Sequence, residues 1–309
     1  MSEKKINVAV AGLGVIGEGA ALRVLEDPAY NLVGLSVRDI AKPRASAFKP
    51  IPICDSISAL LEFQPDIIVD ALPVGDIGEQ LIRAALENSI SIASANKQAI
   101  AGNLSEFHAA AKTSGAQFRY SASVGGGVPM VETIAQSENS SSIVELRAIV
   151  NGTVNFILTA LGEGQNFDAV IAEAQRLGFA EPDPTADLSG ADAKAKISIL
   201  SYEAFGREID PERVSPQALD RELAEKIADE KSQCRQITRA RVGADSIDVS
   251  IAIERVDDDA FFAATRNEGN ALKIVFENGD MEEVSGLGAG RAPTVGAIFD
   301  DLKIISSET

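Results

Sequence analysis

Short apolar runs alternate with amphipathic stretches over the first hundred or so residues. Ile6–Ala11, Asn31–Val37, Ile67–Leu72 and Ile90–Ala93 are rich in Val, Ile and Leu and have the length of strands. Gln117–Ser121 reads as a fifth strand. Helical spacing fills the intervals, for instance between Asp76 and Asn88. Strands that are apolar on both faces and separated by helices predict a parallel sheet covered on both sides. The N-terminal part is therefore expected to be α/β, a doubly wound parallel sheet.

The pattern changes near Gly125-Gly126-Gly127-Val128-Pro129, a close-packed turn leading into a helix. Ile143–Val150 reads as a strand, and helical spacing follows over Thr153–Gly162, Phe167–Leu177, Asp192–Phe205 and Asp220–Lys231. Later strands are expected at Gln236–Val242, Ser246–Val256 and Asn270–Phe276. This mixture predicts a second, α+β domain with a mixed or antiparallel sheet. Pro293–Ile305 reads as a helix returning to the first domain. The expected domains are residues 1–128, joined by a returning segment 287–309, and residues 129–286.

Charge narrows the function. Of 309 residues, 28 are Lys or Arg and 46 are Asp or Glu, a net charge of −18 that makes a nucleic-acid partner a poor expectation. No apolar run reaches the ~20 residues of a membrane span, and the N-terminus runs into the first strand without a signal-peptide pattern. The two cysteines, Cys54 and Cys234, suit a reducing cytoplasm as buried thiols. The single histidine, His108, lies in an amphipathic helix pattern and reads as an ordinary helix-face residue. Proton transfer would then fall mainly to Lys, Asp, Glu, Tyr or water.

Gly12-Leu13-Gly14-Val15-Ile16-Gly17 stands between a strand and a helix, which turns a weak glycine pattern into a dinucleotide-binding signature. Gly12 permits the tight turn, Gly14 lets a pyrophosphate approach, and Gly17 lets helix pack on strand. The free amides at the helix start, at Val15 and Ile16, favour the anion. After the second strand, Arg38 is followed by Asp39, Lys42 and Arg44. The cations favour the 2′-phosphate of NADP, and Asp39 leaves NAD open.

The segment from Gly178 to Lys196 is the richest in chemistry. Two prolines hold Glu181 and Asp183 on an extended path, and Ser189 or Asp187 is placed to cap the next helix. Asp192 and Lys196, four apart, share a helix face. That spacing alone most simply means a surface ion pair. The apolar residues beyond Lys196 suggest instead the edge of a core, where a lysine is partly desolvated. Lys194 should point elsewhere. Lys97, in Ser94-Ala95-Asn96-Lys97, follows the fourth strand at the sheet end where ligands collect. A solvent-exposed loop lysine is the competing reading there.

Taken together, these residues resemble the homoserine dehydrogenases. The likeness runs through Gly12-x-Gly14-x-x-Gly17, Asn96-Lys97, Val124 to Pro129, Asn151-Gly152-Thr153-x-Asn155, the Gly178 to Lys196 block and Gly286-x-Gly288-Ala289-Gly290-x-x-Pro293-Thr294. It implies a first domain of Rossmann type, a second catalytic and dimerisation domain, and NAD(P)H-dependent interconversion of aspartate 4-semialdehyde and homoserine in threonine and methionine biosynthesis. By that likeness Lys196 is the general acid/base and Lys97 the second lysine, near nicotinamide and substrate. Glu181 binds the amino-acid head, Asp187 and Asp192 line the same polar pocket, and Gly290 approaches the cofactor. A homodimer is implied as well; many family members carry a C-terminal ACT-type regulatory domain, and because the sequence stops just past the returning helix a short form without it is expected.

Three positions depart from the family pattern. A glutamate that helps ligate a monovalent cation is replaced by Ser121, which leaves a weakened or lost sodium site on the carbonyls of Val124, Gly126 and Val128. Ala186 stands where an acid is frequent, and Val154 where threonine or serine is usual. These leave two further readings: the same scaffold acting on another small amino- or hydroxy-aldehyde, or a non-catalytic NADP-binding paralog. The joint presence of Lys97, Glu181, Asp192 and Lys196 weighs against the second.

Overall fold

A computed structural model describes residues 5–137, 142–243, 246–288 and 290–307. The chain divides into two compact units, Met1–Ser123 with Thr294–Thr309, and Val124–Pro293.

The first unit holds strands β1 (Ile6–Ala11), β2 (Tyr30–Ser36), β3 (Ile53–Cys54), β4 (Ile67–Asp70), β5 (Ser91–Ser94) and β6 (Phe118–Arg119). All pair in parallel, in the order β3-β2-β1-β4-β5-β6, which is the dinucleotide-binding arrangement of a Rossmann sheet. The order reverses between β1 and β4, so the ligand crevice of this unit opens at their carboxyl ends. Both faces are covered because the strands are apolar on both sides. Helices Val15–Glu26 and Arg291–Ser307 contribute Ala20, Val24, Ile298, Phe299 and Leu302 to the core on β1 and β2, beside Val8, Val10 and Leu35. Helix Gly75–Glu87 packs on β4 and β5 with Leu81, Ile82 and Leu86 buried.

Two features differ from the sequence expectation. β3 was not expected, because Pro52 interrupts its apolar run; two residues suffice to pair it with Leu35 and Ser36. The fifth expected strand, Gln117–Ser121, shrinks to Phe118–Arg119. Ser121 leaves the ladder because its N–H and hydroxyl both go to Asp301 of the returning helix, at 3.0 and 2.6 Å. His108 does lie on a helix, Leu104–Ser114, with its Nε2 3.0 Å from the Tyr120 hydroxyl.

The second unit is built on β7 (Ile143–Ile149), β8 (Cys234–Val242), β9 (Ile247–Arg255), β10 (Gly269–Phe276) and β11 (Met281–Leu287). They form one sheet, antiparallel throughout, in the order β11-β10-β7-β8-β9. Helices Gly152–Gly162, Phe167–Leu177 and Arg221–Glu230 form an apolar cluster with Val154, Ile157, Leu158, Val170 and Ile227 at its centre. A smaller cluster joins Ile149, Ile237 and Ala271 of the sheet to Phe262 of the short helix Ala260–Ala264. Neither β11 nor that helix was expected. β11 is an edge strand with a largely exposed Met-Glu-Glu-Val-Ser-Gly-Leu sequence, so it carries little hydrophobic signal.

Candidate active site

The glycine loop is fixed by backbone contact. Gly12 takes φ +88° and donates to the Ser36 carbonyl at 2.8 Å, and a Cβ there would lie 2.6 Å from the Ala71 carbonyl oxygen. A Cβ at Gly17 would fall within the van der Waals shell of the Gly12 carbonyl. Only hydrogen fits where helix Val15–Glu26 meets the end of β1. Gly14 is the N-cap of that helix and no side chain caps it. An added Cβ at Gly14 would meet nothing within 4 Å. The first-turn amides of Val15, Ile16 and Gly17 have no acceptor within the helix, and Gly14 and Val15 are exposed, as an approaching pyrophosphate requires. Gly17→Ala is expected to cost about 2 kcal/mol of stability and to weaken nicotinamide-cofactor binding about tenfold. Thermal melts and fluorescence titration of the purified variant check both.

The loop after β2 divides the labour among its charges. Arg44 donates to the carbonyls of Lys42 and Asp39 at 2.6 and 2.7 Å, and the Asp39 carboxylate accepts from the Ala41 amide at 2.9 Å. Arg44 therefore braces the loop, and Arg38 is left exposed at its start. At the end of β5, Asn96 caps the helix Lys97–Ile100 by accepting from the Ala99 amide at 3.3 Å. Lys97, half-buried, opens that helix.

In the second unit the predicted groups converge on one residue that sequence reading had placed only in a motif. Asn151 caps helix Gly152–Gly162, its Oδ1 accepting from the Val154 amide at 2.9 Å. Its Nδ2 donates to Asp187 Oδ1 at 2.8 Å and to Asp192 Oδ2 at 3.0 Å. The same Asp192 oxygen accepts from Lys196 Nζ at 2.7 Å, and Nζ also donates to the Val150 carbonyl at 2.8 Å. The pair is not the surface ion pair that spacing alone suggests, since the lysine and aspartate side chains are 16% and 11% exposed. The signal for Asn151 was an Asn-Gly pair at the end of a strand, where a helix cap is wanted.

Of the two expected caps of helix Ala191–Phe205, the Ser189 hydroxyl accepts from its first amide, Ala191 N–H, at 3.4 Å, and Asp187 does not reach it. Gly190 is the N-cap position and has no side chain to offer, and the Asp187 carboxylate is held instead by Asn151. Glu181 lies exposed in the loop before it and is not tied into the Asn151 network. Its backbone carbonyl and that of Pro182 accept from Gln175 at 3.2 and 3.1 Å, which fixes the loop. Asp183 accepts from the Thr185 hydroxyl and amide, which hold its carboxyl below the ordinary aspartate range.

The turn at Val124–Val128 has positive φ at Gly125 and Gly126. It is tied to strands β10 and β11 of its own unit by the Asn270 side-chain amide to Gly125 O at 3.4 Å and by Gly127 N–H to Leu287 O at 3.1 Å. Gly290 is exposed, with φ +121°, immediately before the helix Arg291–Ser307.

Two family models match the chain: the homoserine dehydrogenase NAD-binding domain over residues 12–121, and the homoserine dehydrogenase domain over residues 129–303. The chain belongs to the homoserine dehydrogenase family. It is a nicotinamide-dependent oxidoreductase that interconverts aspartate 4-semialdehyde and homoserine, and the matches do not favour the altered-substrate or non-catalytic readings. The homoserine dehydrogenase of Bacillus subtilis (strain 168) is 31% identical, over 97% of this chain and 72% of its own length. The crystal structure of a homoserine dehydrogenase from Thiobacillus denitrificans superposes with a TM-score of 0.86 at 30% identity, covering 98% of this chain and 73% of that one. The homoserine dehydrogenase from Thermoplasma acidophilum shares the fold at a TM-score of 0.84 and 24% identity, covering 98% of this chain and all of its own.

Against the homoserine dehydrogenase pattern, the three departures have different standing. Val154 is fully buried in the apolar cluster of the second unit, and only its backbone amide meets the Asn151 network. Ala186 is exposed on the helical turn Thr185–Leu188. Ser121 is the consequential one, because its hydroxyl is committed to Asp301.

Proposed function

We propose that Lys196 moves the proton in this reaction. The Lys196–Asp192–Asn151 chain carries this reading: it holds a lysine at the rim of a core by two hydrogen bonds. An ammonium has three N–H donors, so the third is left for the substrate oxygen. During reduction Lys196 gives its proton to the oxygen that becomes the homoserine hydroxyl, and during oxidation the neutral amine takes it back. Asp192 fixes the direction of Nζ, and Asn151 fixes Asp192. Asp187 and Glu181 supply negative charge for the substrate ammonium. When bound, the nicotinamide supplies the hydride for reduction and accepts it for oxidation.

We assign the cofactor to the first unit. Its Gly12–Gly17 loop would hold the pyrophosphate, and Lys97 stands at the carboxyl end of β5. Arg38 supports NADP over NAD. Arg38→Ala is expected to raise the Kd for NADPH about tenfold and to leave NADH within about twofold, since a positioned charge-assisted bond contributes about 1.5 kcal/mol. Equal losses for the two cofactors would remove Arg38 from 2′-phosphate recognition.

The carbonyls of Val124, Gly126 and Val128 are the proposed ligands of a monovalent cation, a weak one, because Ser121 adds no charge. Family likeness supports a homodimer through the sheet of the second unit. Two free, buried cysteines suit the reducing cytoplasm, and no helix among the described residues is long and apolar enough to cross a membrane. The deciding experiment follows NADPH and NADH oxidation by the purified protein with aspartate 4-semialdehyde, beside the same aldehyde lacking its amino group. Turnover confined to the amino aldehyde is expected. Comparable turnover of both would overturn the ammonium role of the carboxylates.

A further inference from the structure

We propose that Asp70, acting through Ser94 and Asn96, is a positioning residue for Lys97. The inference rests on the reading of Lys97 as a reaction-centre lysine and goes beyond it, because it assigns a role to a buried acid outside the substrate carboxylates.

Asp70 ends β4 and is fully buried, with Ala11 of β1 on one side and Ser94 of β5 on the other. One carboxylate oxygen, Oδ1, accepts from the Leu72 amide at 3.0 Å. The other accepts from the Ser94 hydroxyl at 2.8 Å. Ser94 Oγ in turn accepts from the Asn96 amide at 3.1 Å, so that hydroxyl is fixed from both sides. The Asp70 carbonyl accepts from the Ala95 amide at 2.9 Å. Asn96 then donates to the Val74 carbonyl at 3.1 Å and caps the helix that Lys97 opens. Helix Gly75–Glu87 presses on this turn, and Gly78 leaves no room for a Cβ beside the Asn96 amide. The residues from Ser94 to Lys97 therefore have one path, and the Asp70 side chain sets its start.

The identity of the acid follows from donor geometry. Two donors converge on the two oxygens, and a carboxylate is the side chain that accepts on both. Burial pushes the Asp70 carboxyl up to about 6, with the Leu72 backbone amide, the Ser94 hydroxyl and, last, the Asn96 side chain nearby pulling it back. A buried carboxylate opposes folding at neutral pH. A turn that only closed a loop could avoid that opposition, whereas a turn that aims a side chain gains from two rigid acceptors.

The test is a double-mutant cycle on the whole enzyme, reading kcat, the KM for the semialdehyde, the Kd for NADPH and the melting temperature. Ser94→Ala is expected to lower kcat about tenfold with a smaller rise in the Kd for NADPH, and Ser94→Thr to restore both, because the hydroxyl returns. On a Lys97→Ala background, Ser94→Ala should cause no further fall in kcat. Asp70→Asn gives the same readout through another link of the chain, should Ser94→Ala not fold. A Ser94→Ala enzyme with undiminished kcat, or an equal fold-loss on both backgrounds, overturns the positioning role and leaves Lys97 in place. Undiminished kcat in Lys97→Ala itself removes the reading of Lys97, and this inference with it.

Discussion

Lys196→Ala is expected to lower kcat by about 10²–10⁴-fold, the usual worth of a positioned general acid/base. Cofactor binding should stay within about twofold, since the proposed partner of Lys196 is the substrate oxygen and its own bonds go to Asp192 and Val150. Part of the change will appear as lost stability, because the variant leaves Asp192 buried beside Asn151 without its cation. Breaking a buried pair from one side is strongly unfavourable, and about 2–3 kcal/mol is expected here, with the Asn151 donor limiting the loss. Lys196→Arg separates the two effects. It keeps a charge for Asp192, so the melting temperature should largely recover. A planar guanidinium with a very high pKa gives up a proton poorly, so kcat should not recover. Steady-state kinetics with calorimetry on both variants decides. An alanine variant that keeps most of its kcat would end the assignment of Lys196.

Asn151 should prove nearly as sensitive. Asn151→Ala removes a helix cap and both amide donations to Asp187 and Asp192. The cap alone is worth about 1 kcal/mol. The loss of aim on Asp192 is expected to take kcat down about 10–100-fold, the effect of misorienting a group next to the chemistry. Asn151→Asp is the informative partner. An aspartate is as good a cap as asparagine, so if capping were the whole role this variant would resemble the wild type. It also puts a third carboxylate where an NH2 group had bridged two others, and like charges at that range repel strongly. The bridging role therefore predicts that the aspartate variant has a lower kcat than the alanine variant. The reverse order would reduce Asn151 to a cap.

The parts of this molecule legible in the sequence are those whose causes are local. The Gly12–Gly17 loop is set by steric demands within a few residues, so the glycine spacing and flanking strand and helix predict it. The Asp192/Lys196 pair follows from helix geometry. Its burial does not, because that depends on the Val150 carbonyl 46 positions away. The bridging role of Asn151 was not legible because it links Asp187 and Asp192 over 36 and 41 positions. Ser121 looked like an isolated departure, and its partner Asp301 lies 180 positions on. The missed strands β3 and β11 share a different cause. One is too short and the other too solvated to write a period into the sequence.

The helix Arg291–Ser307 carries a consequence for how the protein is made. Its Val295, Ile298, Phe299, Leu302 and Ile305 complete the core beneath β1 and β2, which are synthesised before the whole of residues 124–293. The intervening residues 124–293 form a compact unit of their own. On the ribosome, where domains fold as they emerge, the unit in the middle of the sequence has all its parts first. The nascent glycine loop waits, with its supporting core unfinished, until Phe299 and Leu302 have left the exit tunnel. Nucleotide affinity is thus acquired only once this helix has been made, although most of the residues that would confer it are translated before residues 124–293.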